Sequence, residues 1–150
     1  MIHLLRTDSS NPDFQKLVTL LDAELKVFDG DDHAFYSQYN KIEAIKHVVV
    51  AYQNEAPVGC GAIKEYEPGT TEVKRMYVSE DKRGLGIAST LLKELEAWAA
   101  ETGYTKCILE TGIKQTAAIV LYKKNNYNIT PNYGQYTGIE NSVCFEKALM

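Results

Sequence analysis

Apolar positions along the chain change period several times, and each change marks an element. Ile2, Leu4 and Leu5 open a short strand-like run over residues 2–6. Ser9–Ser10–Asn11–Pro12 carries a helix-start signal: side chains able to cap, then a proline at an early helical position. Phe14, Leu17, Leu20, Leu21 and Leu25 recur at helical spacing, which predicts a helix to about Phe28, ended by Asp29–Gly30–Asp31–Asp32. Residues 34–45 predict a second, weaker helix with an aromatic face of Phe35, Tyr36 and Tyr39. The period then shortens to two. His47 to Tyr52 is β-branched and strand-like, Gln53–Ala56 is a polar turn, and Val58 to Tyr66 is the return strand. Gly59 and Gly61 within it point to a bulge or a close backbone approach. Pro68–Gly69 turns the chain again, and Glu72 to Val78 alternates as a third consecutive strand, so the centre reads as an antiparallel meander.

Ala88, Leu91, Leu92, Leu95, Trp98 and Ala99 mark an amphipathic helix from about Leu85 to Thr102, stopped by Gly103. A strand over 107–111, a helix over 116–125, a short strand over 127–129, a Tyr- and Gly-rich loop over 131–138 and a last strand from Ser142 complete the order. Taken together, the elements predict an α/β (α+β) fold: a mixed, mostly antiparallel central sheet flanked by helices.

Composition narrows the function classes. A length of 150 residues favours one domain over 1–150. With 16 Lys and Arg against 20 Asp and Glu, the formal charge is −4, a poor match for nucleic-acid binding. No apolar run approaches the ~18 residues of a membrane span, and the first residues show no export signal. Cys60, Cys107 and Cys144 are odd in number and widely spaced, which fits buried, reduced thiols in a cytoplasmic protein. No cluster of His, Cys, Asp and Glu has metal-ligand spacing, so no metal is expected.

The stretch from Val78 to Ala88 carries the chemistry. A strand leads in and an amphipathic helix leads out, with Lys82, Arg83, Gly84 and Gly86 between. Glycines let the backbone approach a ligand, and a helix N-terminus presents unpaired N–H groups with partial positive charge. Together they make a site suited to a pyrophosphate. It is neither a dinucleotide fingerprint, because Ser89 stands where the third glycine belongs, nor a Walker loop. On the glycines alone, a plain turn into a helix would serve as well.

The wider pattern is more specific. Arg83-x-x-Gly86-x-Ala88 matches the R/Q-x-x-G-x-G/A loop of the GNAT superfamily, the acyl-CoA-dependent N-acyltransferases. The strand EVKRMYV before it, the segment Ile108–Gly112 with Ala118–Lys124, and the ending from Tyr133 to Lys147 resemble the same family. The resemblance implies a GNAT-like fold and acetyl-CoA as co-substrate. It implies that backbone N–H groups from Arg83 through Gly84, Leu85, Gly86 and Ile87 to Ala88 hold the CoA pyrophosphate. It also implies that the backbone of Met76, Tyr77 and Val78 pairs with the pantetheine arm. Gln115 falls where the family often has Asn. Asn126 stands where the family usually has Gly, and Asn tolerates the left-handed conformation such a stop needs.

Attack of an amine on a thioester requires a neutral amine, a polarised carbonyl and a protonated leaving thiolate. Tyr122 matches the family's tyrosine acid; its reference value of ~10 exceeds that of a thiol at ~8.5, so it keeps a proton to give. Its plain alternative is a core aromatic. Glu72, eleven residues before Arg83, matches a general-base glutamate of part of the family, with a solvated or Lys74- or Arg75-paired carboxylate as the alternative. Glu110 is a weaker rival, and His33 and His47 are weaker still. Phe28, Asp29, Asp31, Asp32, Tyr36, Tyr39, Tyr133 and Tyr136 would give an acidic, aromatic mouth for a cationic amine. The expected activity is N-acetylation of a small-molecule or exposed protein amine by direct attack, without nucleic-acid or membrane partners; a homodimer is left open. Two rivals stand beside it: a non-catalytic acyl-CoA-binding sensor or regulatory module, and a toxin-like enzyme acting on charged tRNA, which the acidic charge disfavours.

Overall fold

A computed structural model describes residues 1–29 and 44–149; the weak helix expected over 34–45 lies almost wholly outside the described residues. The described elements run β1 (Ile2–Thr7), α1 (Pro12–Asp29), β2 (His47–Gln53), β3 (Ala56–Glu67), β4 (Thr70–Val78), α2 (Ile87–Thr102), β5 (Lys106–Gly112), α3 (Thr116–Lys124), β6 (Asn128–Thr130) and β7 (Ser142–Ala148). The strands form one sheet in the order β1-β2-β3-β4-β5-β7-β6. All neighbours are antiparallel except β4 and β5. The meander predicted over β2 to β4 is therefore present, and the sheet is mixed as expected.

Successive side chains of a strand face opposite ways, and the two cores show it. Val49 and Ala51 join Leu91, Leu92, Leu95 and Phe145 under α2, while Val48 and Val50 join Phe14, Leu17 and Val18 under α1. Asn11 caps α1: its Oδ1 accepts from the backbone N–H of Asp13 at 2.8 Å and of Phe14 at 3.0 Å. Pro12 follows at the first helical position, where no N–H is needed. Val18 takes the buried place expected of Leu20, which is exposed; the inward stripe is Phe14, Leu17, Val18 and Leu21. Gly59 and Gly61 are the expected close approach. A Cβ at Gly61 would stand 2.5 Å from Met76 Sδ and 2.8 Å from Leu95 Cδ1, so glycine lets α2 and Met76 settle on β3.

The expected plain alternation of β4 is corrected. Lys74 lies opposite Ala62 and Tyr77 opposite Cys60, so Arg75 and Met76 together face the single residue Gly61. Arg75 holds a positive φ of 60°. This is a bulge, and it turns the following residues to the other face. Arg75 points to α1, where its Nη1 donates to Asp22 Oδ1 at 3.0 Å, and Met76 and Val78 join the α2 core. The helix expected from Leu85 begins at Ile87, preceded by a 3₁₀ turn over Glu80–Lys82. Among the described residues no helix is long and apolar enough to cross a membrane.

Candidate active site

Strands β4 and β5 pair only over Thr70–Glu72 and Lys106–Ile108. Beyond Glu72 they diverge, and a cavity of about 460 Å³ opens along β4 from Met76 to Val78, bounded by the glycine loop and α3. On that side β4 has no strand partner among the described residues, so backbone groups there other than Val78 O, which accepts from Arg83 Nε, can meet an amide-bearing ligand. Gly84 and Gly86 both hold φ of 82°, a conformation that favours glycine, and a Cβ on either would meet nothing within 4 Å. Gly86 caps α2 without a side-chain bond, so the first-turn N–H groups of Ile87, Ala88 and Ser89 are not satisfied by a cap. Open space, unpaired donors and the positive end of a helix dipole suit an anion.

Arg83 departs from the expectation. Its backbone N–H bonds Glu80 O at 3.4 Å, its Nε donates to Val78 O at 2.9 Å and its Nη2 to Glu24 Oε2 at 2.6 Å. Its charge is thus balanced by α1. The other cations that line the cavity are Lys82, Lys114 and Lys124.

A second, smaller cavity of about 120 Å³ lies on the α1 side, lined by Leu21, Leu25, Glu72, Lys74, Arg75, Glu110 and Tyr136 among others. The two cavities share Leu21, Met76, Gln115, Ala118 and Tyr122. Tyr122 is buried, its ring 5.9 Å from that of Tyr127 and 5.8 Å from that of Phe145. Burial, aided by the Glu110 charge, holds its phenol well above the usual tyrosine range. Glu72 is also buried. Its Oε2 accepts from the Tyr133 hydroxyl at 2.5 Å, and its Oε1 stands 3.9 Å from Lys74 Nζ.

Residues 14–127 match the family described as the Acetyltransferase (GNAT) family. The chain belongs to that family. An IAA acetyltransferase of Azospirillum brasilense is 38% identical over 102 residues, 67% of this chain and 67% of its own length. Across several curated relatives the matched stretch spans 53% to 67% of their length. A Klebsiella pneumoniae protein, provisionally described as an acyl-CoA N-acyltransferase, superposes with a TM-score of 0.84 and 30% identity, covering 100% of this chain and 99% of that one. A GNAT acetyltransferase from Elizabethkingia anophelis, solved with acetyl-CoA bound, has the same fold at a TM-score of 0.72 and 22% identity, covering 99% and 98%. The chain is therefore a member of an acyltransferase family.

Within this GNAT fold, the residues expected at the site fall as follows. Met76, Tyr77, Val78, Arg83, Gly84, Gly86, Ile87, Ala88 and Gln115 line the long cavity, and Leu85 projects from the loop, exposed. Glu72, its rival Glu110 and Tyr136 line the small one. Asp31 and Tyr36, with Asp32, His33 and Tyr39, lie outside the described residues, as do the side chains of Phe28 and Asp29. His47 is not brought to either cavity; its ring packs edge-on against Trp98 at 4.7 Å. Lys114, Lys124, Leu21 and Leu25 were not expected, and no motif marks them. Tyr133 was expected only at the acceptor mouth, yet it sits on Glu72. Asn126 does take the left-handed conformation, with φ of 70°. Cys60, Cys107 and Cys144 are free and buried. Among the described residues, no group of three or more His, Cys, Asp and Glu could hold a metal ion.

Proposed function

We propose that this protein is an acetyl-CoA-dependent N-acetyltransferase acting on a primary amine, carried by a small molecule or exposed on a protein. The observation that carries the reading is Tyr122 at the junction of two cavities. One runs to an anion-friendly glycine loop and the other holds the buried Glu72 and the half-buried Glu110. On this reading the pyrophosphate lies on the N–H groups from Gly84 to Ala88, with Lys82, Lys114 and Lys124 nearby. The pantetheine arm pairs with the free edge of β4 at Met76–Val78, and Gln115 borders it.

The acceptor amine enters from the α1 side. Glu72 takes its proton, directly or through water, and the neutral amine attacks the thioester carbonyl. The departing sulfur then carries negative charge in a buried place, where a bare thiolate is costly. Tyr122 keeps its proton at any working pH until it donates to that sulfur, and the proton that the nitrogen sheds on becoming an amide restores the phenol through solvent, so the contact is worth most as the bond breaks. A reducing compartment such as the cytoplasm suits the three free thiols.

The test is an amine panel with acetyl-CoA, read by release of free thiol. It should include alkyl diamines, amino acids and peptides with free N-termini. Turnover with at least one amine is expected. Tight CoA binding with no thiol release from any acceptor would instead favour a non-catalytic acyl-CoA sensor.

A further inference from the structure

Glu72 is held by a loop remote in sequence. Between β6 and β7 the chain forms a closed turn: Asn132 Nδ2 donates to Ile139 O at 2.9 Å and to Ser142 O at 3.1 Å, and Thr137 Oγ1 donates to Gly134 O at 2.9 Å. The Tyr133 ring is fixed edge-on between Tyr66, at 5.1 Å, and Tyr136, at 5.8 Å. Gly134 makes this fit possible, since a Cβ there would stand 3.1 Å from the Tyr66 hydroxyl oxygen. The Tyr133 hydroxyl is thereby aimed at Glu72, 2.5 Å from Oε2.

We infer that Tyr133 is a positioning residue for Glu72. Its phenol anchors one carboxylate oxygen and turns the other toward the acceptor cavity. The inference rests on Glu72 being the general base, as proposed above. Burial and the adjacent Glu72 charge hold the Tyr133 phenol far above the usual tyrosine range, so it is a donor at every working pH. Other groups face Glu72 as well. On β4, Lys74 stands 3.9 Å away and Arg75 is engaged by Asp22 of α1. On β3, Lys64 lies across in register. From β5 and β7 come Glu110 and Cys144, and from the loop Tyr136. The residues that α1 itself sends into this cavity, Leu21 and Leu25, are apolar.

The experiment compares the full chain with Tyr133→Phe, Glu72→Gln and the double variant. Two readouts are used: kcat and KM with one good acceptor, and the thermal shift with CoA. In Tyr133→Phe kcat should fall about tenfold, while the KM for acetyl-CoA and the CoA thermal shift stay within about twofold of the parent. The loss should vanish in the Glu72→Gln background, where no base is left to position. A role in packing alone would weaken CoA binding as well and would add to the Glu72→Gln loss. Loss of rate in Glu72→Gln with an unchanged kcat in Tyr133→Phe overturns the positioning role only. A Glu72→Gln enzyme with the parent's rate overturns the base assignment itself. If Tyr133→Phe fails to fold, Asn132→Ala, which loosens the loop while keeping the phenol, must lower kcat, and only with Glu72 present; a kcat equal to the parent's overturns the inference.

Discussion

Removing one oxygen from Tyr122 should separate catalysis from binding. Tyr122→Phe keeps the ring and its contacts with Tyr127 and Phe145. The lost hydroxyl makes no hydrogen bond within the described residues, so folding stability should change by about 1 kcal/mol or less. The rate should change far more. General acid catalysis is typically worth ~10²–10⁴-fold, or about 2.7 to 5.4 kcal/mol of transition-state stabilisation. Tyr122 borders a cavity of about 120 Å³. That is room for a water, whose share of liquid volume is ~30 Å³. Such a water can partly replace the phenol, which places the expected loss nearer 10²–10³-fold. The KM for acetyl-CoA should move by less than about threefold, because the contact is made mainly as charge builds on sulfur.

The assay is thiol release with one good acceptor, under both single-turnover and steady-state conditions, so that slow product release does not hide the chemical step. Circular dichroism and a CoA thermal shift control for folding. Because burial and Glu110 hold the Tyr122 proton well above the usual range, activity should show no loss from its ionisation up to pH ~10. A single-turnover rate lowered less than about threefold would refute the acid role. A collapse of CoA binding with the rate intact would make Tyr122 a ligand contact instead.

Four further outcomes are expected. Gly86→Glu forces a side chain into φ of 82° and puts a negative charge at the loop, so the thermal shift with millimolar CoA should vanish while the fold persists. Gly61→Ala places a methyl 2.5 Å from Met76 Sδ and 2.8 Å from Leu95 Cδ1; the urea midpoint should fall by the equivalent of ~1–3 kcal/mol, with a raised KM for acetyl-CoA as Met76 is displaced. Burial lifts the thiols of Cys60 and Cys107 to about 12 and that of Cys144 to about 11. All three should therefore resist a thiol reagent until denatured. Because the unfolded chain sheds these protons near pH ~8.5 and the fold retains them, stability should decline as pH rises past that point.

The elements were legible because local signals agreed. Asn11–Pro12, Gly103 and the change of period at His47 each have a physical cause that acts within a few residues. The long cavity was legible in part, since Gly84 and Gly86 announce a backbone that a ligand can approach. The small cavity was not. Tyr133 reaches Glu72 across 61 residues, and no spacing rule connects them. Lys114 and Lys124 share the long cavity with Lys82 because the chain from residue 114 through α3 lines it. Leu20 was misassigned because Val18, not Leu20, lies on the stripe that α1 turns to the sheet.

The bulge in β4 left a trace that can be read in retrospect. In Glu72–Val73–Lys74–Arg75–Met76–Tyr77–Val78, strict alternation would send Arg75 into the apolar core beside Val73 and turn Met76 and Val78 away from it. A buried, unpaired guanidinium is costly enough to decide the matter. One extra residue resolves the conflict: Lys74 and Arg75 both face α1, and Met76 and Val78 regain the core. The same residue does more than rescue Arg75. A bulge bends its strand and increases local twist, and this one lies just past Glu72, the last residue of β4 paired with β5. Upstream of it, β4 carries a carboxylate on the α1 face. Downstream, it runs along the long cavity without a strand partner among the described residues. On the proposed reading, base and co-substrate edge thus come from one strand, within a few residues, on either side of a single conformational irregularity. Without the bulge, the strand would present Arg75 where Met76 lines the junction beside Tyr122, and the two cavities would not meet at an apolar wall.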